Sequence, residues 1–184
     1  KLFSNVESDF SIIIGKFLNN NDKKRVKTTN FQRWFNDYRD YLFDNISYTN
    51  SYFDEKLSSI PKFGSDKNKR IFEKVISHNK LENYILDNNN KDDSNTFLYY
   101  HAAARYYRKC FKTKISNEYK RILLKNEHVD QILCLLSSSI CYWIWINCSD
   151  CYHVTKSDIC MTPVPKSILN NDTLKKLSSS LLND

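Results

Sequence analysis

The chain has 184 residues, the length of one ordinary domain or two small ones, and its 41% hydrophobic and 14% aromatic content excludes a disordered tail. Its two glycines, Gly15 and Gly64, stand far apart, which excludes a dinucleotide fingerprint, a P-loop and a Gly-rich S-adenosylmethionine turn, all of which need clustered glycines. Lys plus Arg is 28 against 21 Asp plus Glu, and the resulting +7 suits a polyanionic partner as well as it suits solubility.

In chain order, FSIIIGKFL (10–18) is short, β-branched and bounded by polar residues, as a buried strand is, and 25–28 is a candidate partner strand. From Phe31 the apolar residues Trp34, Phe35, Tyr38, Tyr41 and Leu42 step at three and four, the spacing of an amphipathic helix. The chain turns at IPKFGS (60–65). Ser65 or Asp66 then caps a helix carrying Ile71, Phe72, Val75 and Ile76. The polar run DNNNKDDSN (87–95) is a loop and the expected internal boundary. It separates an N-terminal α/β part, 1–86, from a second part, 96–184.

Beyond the loop, 96–100, 104–111 and 118–124 are rich in Tyr, Phe and Ile and imply a small antiparallel or mixed sheet. One buried helix is expected over about 127–146, because its apolar residues cover most faces. Its uncharged core, ILCLLSSSICYWIWI, is too short for a membrane span and is closed by Asp130 and Asp150. A polar turn over 147–153, the segment 155–159, the brake Pro163-Val164-Pro165 and an amphipathic tail helix with Leu169, Leu174, Leu177 and Leu181 complete an α+β fold.

Three constellations could carry chemistry. Cys148, Cys151 and His153 resemble half a zinc site that would need Cys110 or Cys160 as a fourth ligand; the competing reading is reduced structural thiols, and no metal site is assigned. All six cysteines lie in the second half and no charged-then-apolar signal segment opens the chain, so reduced thiols in a cytoplasm are expected. Glu118 and Lys120, with Asp92 and Asp93 upstream, match the short end of a nuclease metal site, against an exposed strand of alternating charge. The block YYHAAARYYRK (99–109) places Tyr rings that can stack on a base beside Arg and Lys that can reach phosphates or guanine edges. Half of its tyrosines must face a core, because strand side chains alternate.

Several segments in order resemble the C-terminal part of adenine-specific DNA methyltransferases of type II restriction–modification systems, including the fused type IIG kind. They are KLFSNVESDFSIIIGK at the start, TTNFQRW (28–34) with Tyr41-Leu42-Phe43, IPKFGS (60–65), the stretch from Leu98 to Arg105, and LSSSICYWIWINCSDCYHVTKSDI (136–159). Ser137 stands where that family commonly has asparagine, and Ala103-Ala104 where it often has Gly or Pro. The family's Asn/Asp-Pro-Pro-aromatic motif does not occur in this chain.

The resemblance implies the target recognition region of a bacterial, cytoplasmic enzyme, binding double-stranded DNA while a catalytic domain of the same polypeptide flips the adenine. The start at Lys1 instead of Met points the same way, to an excised fragment. S-adenosylmethionine would belong to the full-length enzyme, which could be fused to a restriction endonuclease. The chain alone is expected to be inactive, to hold no cofactor and to have no membrane partner. The expected DNA contacts are Lys62, Tyr100, His101, Arg105, Arg108, Lys112, His153 and Lys156. For Arg105 the competing reading is a salt bridge to Glu118 across the sheet. The rival functions are a protein-interaction module without DNA contact and a metal-dependent nuclease.

Overall fold

The computed structural model describes residues 26–32, 36–41, 43–89, 92–103 and 110–181. The strand expected over 10–18 lies outside them. Strand β1 (Val26–Thr28) forms at its expected place and pairs antiparallel with β2 (Thr49–Ser51). Between them, in place of an amphipathic α-helix, the described residues form two 3-10 segments, Asn36–Tyr41 and Phe43–Asn45. The Asp and Asn residues of this stretch favour caps and turns over helix interiors. The β1–β2 ribbon grips the 60–65 turn. Ser51 Oγ and Thr28 Oγ1 donate to Pro61 O at 2.7 and 3.1 Å, and Phe63 N donates to Thr28 Oγ1 at 2.9 Å.

Helix α1 (Asp66–Ile76) starts where the sequence signals it, with the Ser65 hydroxyl accepting from Asn68 N at 3.2 Å. Its buried Phe72 meets Phe63 edge-on at 5.1 Å and Trp143 at 6.0 Å, and with Leu57 and Ile144 forms the smaller of two apolar clusters.

The larger cluster lies on one face of a four-stranded antiparallel sheet. Its strands are β4 (Ile85–Leu86), β5 (Asn95–His101), β6 (Cys110–Phe111) and β7 (Tyr119–Lys125), in the order β4-β7-β5-β6. A separate ribbon pairs β3 (Asn79–Lys80) with β8 (Pro163–Val164). Strand β4 precedes the 87–95 loop and β7 follows it, and Leu81 fills the same core as Leu98 and Ile122.

Alternation sends Leu98 and Tyr100 of β5 and Ile122 and Leu124 of β7 to that core, under Val129, Ile132, Leu133 and Leu136 of helix α2 (Asn126–Leu136). The apolar run expected as one helix continues as a second, α3 (Ser139–Cys148), bent from α2 by 68°. Ser138 makes the break. It is extended, its hydroxyl accepts from Cys141 N at 3.2 Å to start α3, and it donates to Leu135 O at 2.6 Å to close α2.

Short helix α4 (Lys156–Cys160) opens on a capping box of Thr155 and Asp158. Helices α5 (Lys166–Leu169) and α6 (Asp172–Leu181) end the described chain, with α6 lying along α2. No single described helix is long and apolar enough to cross a membrane. The α2–α3 pair has the length and composition together, but it is bent and its apolar side chains fill the core.

Candidate nucleic-acid interface

The second face of the sheet is built by the side chains that alternation turns away from α2. Strand β5 contributes Phe97, Tyr99 and His101, β7 contributes Tyr119, Arg121 and Leu123, and β6 contributes Phe111. Register sets Phe111, Tyr99 and Arg121 side by side across three strands. Tyr119 meets the His101 ring edge-on at 4.9 Å and the Phe111 ring at 5.8 Å, and the Arg121 guanidinium lies 4.1 Å over the Phe97 ring.

In the sequence, charge is concentrated in one stretch, of which the structure describes 110–125. Residues 105–125 hold eight cations (Arg105, Arg108, Lys109, Lys112, Lys114, Lys120, Arg121 and Lys125) and one acid, Glu118. Their surplus of seven equals that of the whole chain, so the other residues are balanced. Lys120, Arg121 and Lys125 are exposed along β7. Lys114 donates to Asn117 Oδ1 at 3.0 Å. Arg121 and Lys125 are not among the residues expected from the sequence. A running count of charge along the chain, taken without regard to motif, finds them.

The expected contacts fall in different settings. Arg105 and Arg108 lie outside the described residues. Tyr100 is core, 2% exposed, and burial pushes its phenol up to about 12. His101 is buried. Its Nδ1 accepts from Ala103 N at 3.0 Å, which puts the proton on Nε2, 2.9 Å from Glu118. Glu118, the competing partner for Arg105, thus accepts a hydrogen bond from His101 Nε2.

Lys112 Nζ lies 2.6 Å from Asp130 on α2. Burial alone would raise the Asp130 carboxyl, but Lys112 and the Ser178 hydroxyl of α6 outweigh it and hold the group below the usual carboxylate value. Lys156 is exposed in the first turn of α4.

Lys62 does something specific. Its ammonium donates to Ile146 O at 2.9 Å, Ser149 O at 2.8 Å and Cys151 Sγ at 3.1 Å, so two of its N–H groups close the C-terminal end of α3 and the third reaches the thiol of the turn beyond. His153 lies in the turn that follows, exposed, with Nδ1 3.4 Å from Asp150 Oδ2. That turn is fastened to the sheet: Val154 N donates to Ala102 O at 2.9 Å, His153 bridges Ala103, and Trp145 Nε1 donates to His153 O at 3.1 Å. The fold therefore gathers Lys62 and His153 about the turn after α3, which is fastened beside the end of β5 where His101 lies, and sets Lys112 against α2.

The metal constellations divide among different partners. Burial pushes the Cys148 thiol up to about 12, with Ser59 and Lys62 beside it, while Cys151 Sγ faces Ile146 O and Lys62. All six cysteines are free thiols. Asp92 and Asp93 precede β5 at its Asn95 end, whereas Glu118 adjoins its His101 end. Six residue steps of strand separate the two by about 20 Å. Among the described residues no group of three or more His, Cys, Asp and Glu side chains is placed to hold a metal ion. No protein-family model, no curated protein and no solved structure matches this chain.

Proposed function

We propose that this chain is the target recognition region of a bacterial adenine-N6 DNA methyltransferase of a restriction–modification system, holding duplex DNA in the cytoplasm for a catalytic domain of the same polypeptide. The observation that carries the proposal is the concentration of the sequence's charge surplus in residues 105–125, of which Arg121 and Lys125 lie exposed on the aromatic sheet face. A row of cations displaces counterions from phosphates, and side chains on a rigid sheet hold register with the duplex. The ordered resemblance of the sequence supplies the enzyme class. Within this division of labour the chain binds and orients DNA. S-adenosylmethionine belongs to the catalytic domain, and of the two glycines here Gly64 packs against Asn30 in the 60–65 turn.

A second reading has its own observation. Tyr41, Phe43 and Tyr48 are each 62% exposed and Phe53 is 58% exposed, all around β2. Apolar rings in such number suit a protein partner. In the proposal that partner is the catalytic domain; in the alternative it is another protein and DNA plays no part.

Fluorescence anisotropy with a labelled duplex separates the two. The proposal expects binding at about 50 mM salt that weakens steeply by about 200 mM. No binding at the lower salt supports the interaction module.

A further inference from the structure

Lys62 and Cys151 touch at the C-terminal end of α3, Nζ 3.1 Å from Sγ. From this geometry we infer a modification site: hydrogen peroxide joins the two side chains through a sulfenamide bond between Lys62 Nζ and Cys151 Sγ.

Both atoms are held for it. The lysine nitrogen is fixed by two carbonyls, Ile146 O at 2.9 Å and Ser149 O at 2.8 Å, and the thiol shares the first of them at 3.3 Å. Cys151 N is tied to Ser149 Oγ at 3.0 Å, which anchors the backbone that carries the sulfur. Cys151 is half-buried, within reach of a small oxidant, whereas Cys110 and Cys141 are buried. Cys148, the neighbouring thiol, is held protonated by burial.

Sulfenic acids condense with nearby nitrogen nucleophiles. The Cys151 thiolate attacks one peroxide oxygen; the S–O bond forms, the O–O bond breaks, and the departing hydroxide takes up the proton the thiol released. Lys62, its ammonium proton passed to water, attacks the sulfur as a neutral amine. The S–N bond forms, the S–O bond breaks, and the leaving hydroxide takes one proton from nitrogen. One peroxide becomes two waters, and the sulfur is oxidised by two electrons. The joined nitrogen keeps one N–H, so only one of the two carbonyls can stay bonded. The turn that carries His153 is then released from one of its anchors.

The test treats the whole chain with hydrogen peroxide, blocks the remaining thiols, digests with trypsin and maps the peptides by mass spectrometry. The inference expects peptide 57–67, uncleaved after Lys62, joined to peptide 126–156 and lighter than their sum by two hydrogen atoms. Dithiothreitol should separate the two. Lys62→Arg, which keeps the positive charge and donors but offers no nucleophilic amine at this pH, should abolish the joined peptide and leave Cys151 carrying added oxygen. Three results overturn the inference: cleavage after Lys62 with Cys151 carrying oxygen, a disulfide between Cys148 and Cys151, or equal yield of the joined peptide from chain unfolded in guanidinium chloride.

Discussion

Lys62 shows how a residue's charge and its task can separate. Its sequence setting, IPKF in a turn, marks an exposed lysine available to phosphate, yet its ammonium closes α3 through carbonyls 84 and 87 positions further along the chain. Nothing local to residue 62 announces those acceptors. Lysine near a helix C-terminus satisfies orphan carbonyls and complements the dipole. Lys62→Met should therefore destabilise the fold by about 1–2 kcal/mol in urea denaturation, while leaving duplex affinity unchanged. A large loss of affinity with unchanged stability would return Lys62 to the interface. Tyr100 was legible in part: alternation requires half the tyrosines of 99–109 to be core, but only the strand register tells which face Tyr100 takes.

At the scale of elements, signals carried by neighbouring residues translate faithfully. Ser65 caps α1, and the Tyr, Phe and Ile enrichment of 96–100 and 118–124 becomes β5 and β7, although Ile122, Leu123 and Leu124 are all buried and do not alternate. The break between α2 and α3 was hidden because serine inside an apolar run is compatible with a helix, and only the 68° bend shows Ser138 acting as a cap. Ser138→Ala should cost about 0.5–2 kcal/mol, read from the shift in the thermal midpoint.

A second junction joins the segment after β6, α2 and α6 through Lys112, Asp130 and Ser178. The Asp130 carboxyl is held below its unfolded value, so its contribution is present above the unfolded pKa and fades as pH falls through the folded one. Asp130→Asn should lower stability at neutral pH by about 1–2 kcal/mol and lose its effect in acid, where the wild-type group is protonated as well. An equal deficit at both pH values would show that packing, not charge, holds α6 to α2.

For the whole molecule, the α+β class follows from the mixture of strand and helix patterns, whereas the proposed interface rests on how charge is distributed along the sequence. The total of +7 says little; its confinement in the sequence to residues 105–125 is what supports the proposed polyanionic partner. The most direct test compares the wild-type chain with Arg121→Gln and Lys125→Gln combined, measuring duplex affinity by anisotropy across a salt series after circular dichroism has confirmed the fold. Each phosphate contact contributes about −0.9 to the slope of log affinity against log salt. The account predicts a wild-type slope of several such units, made shallower by about two in the variant, with affinity lost most at low salt. An unchanged slope in a folded variant would contradict it.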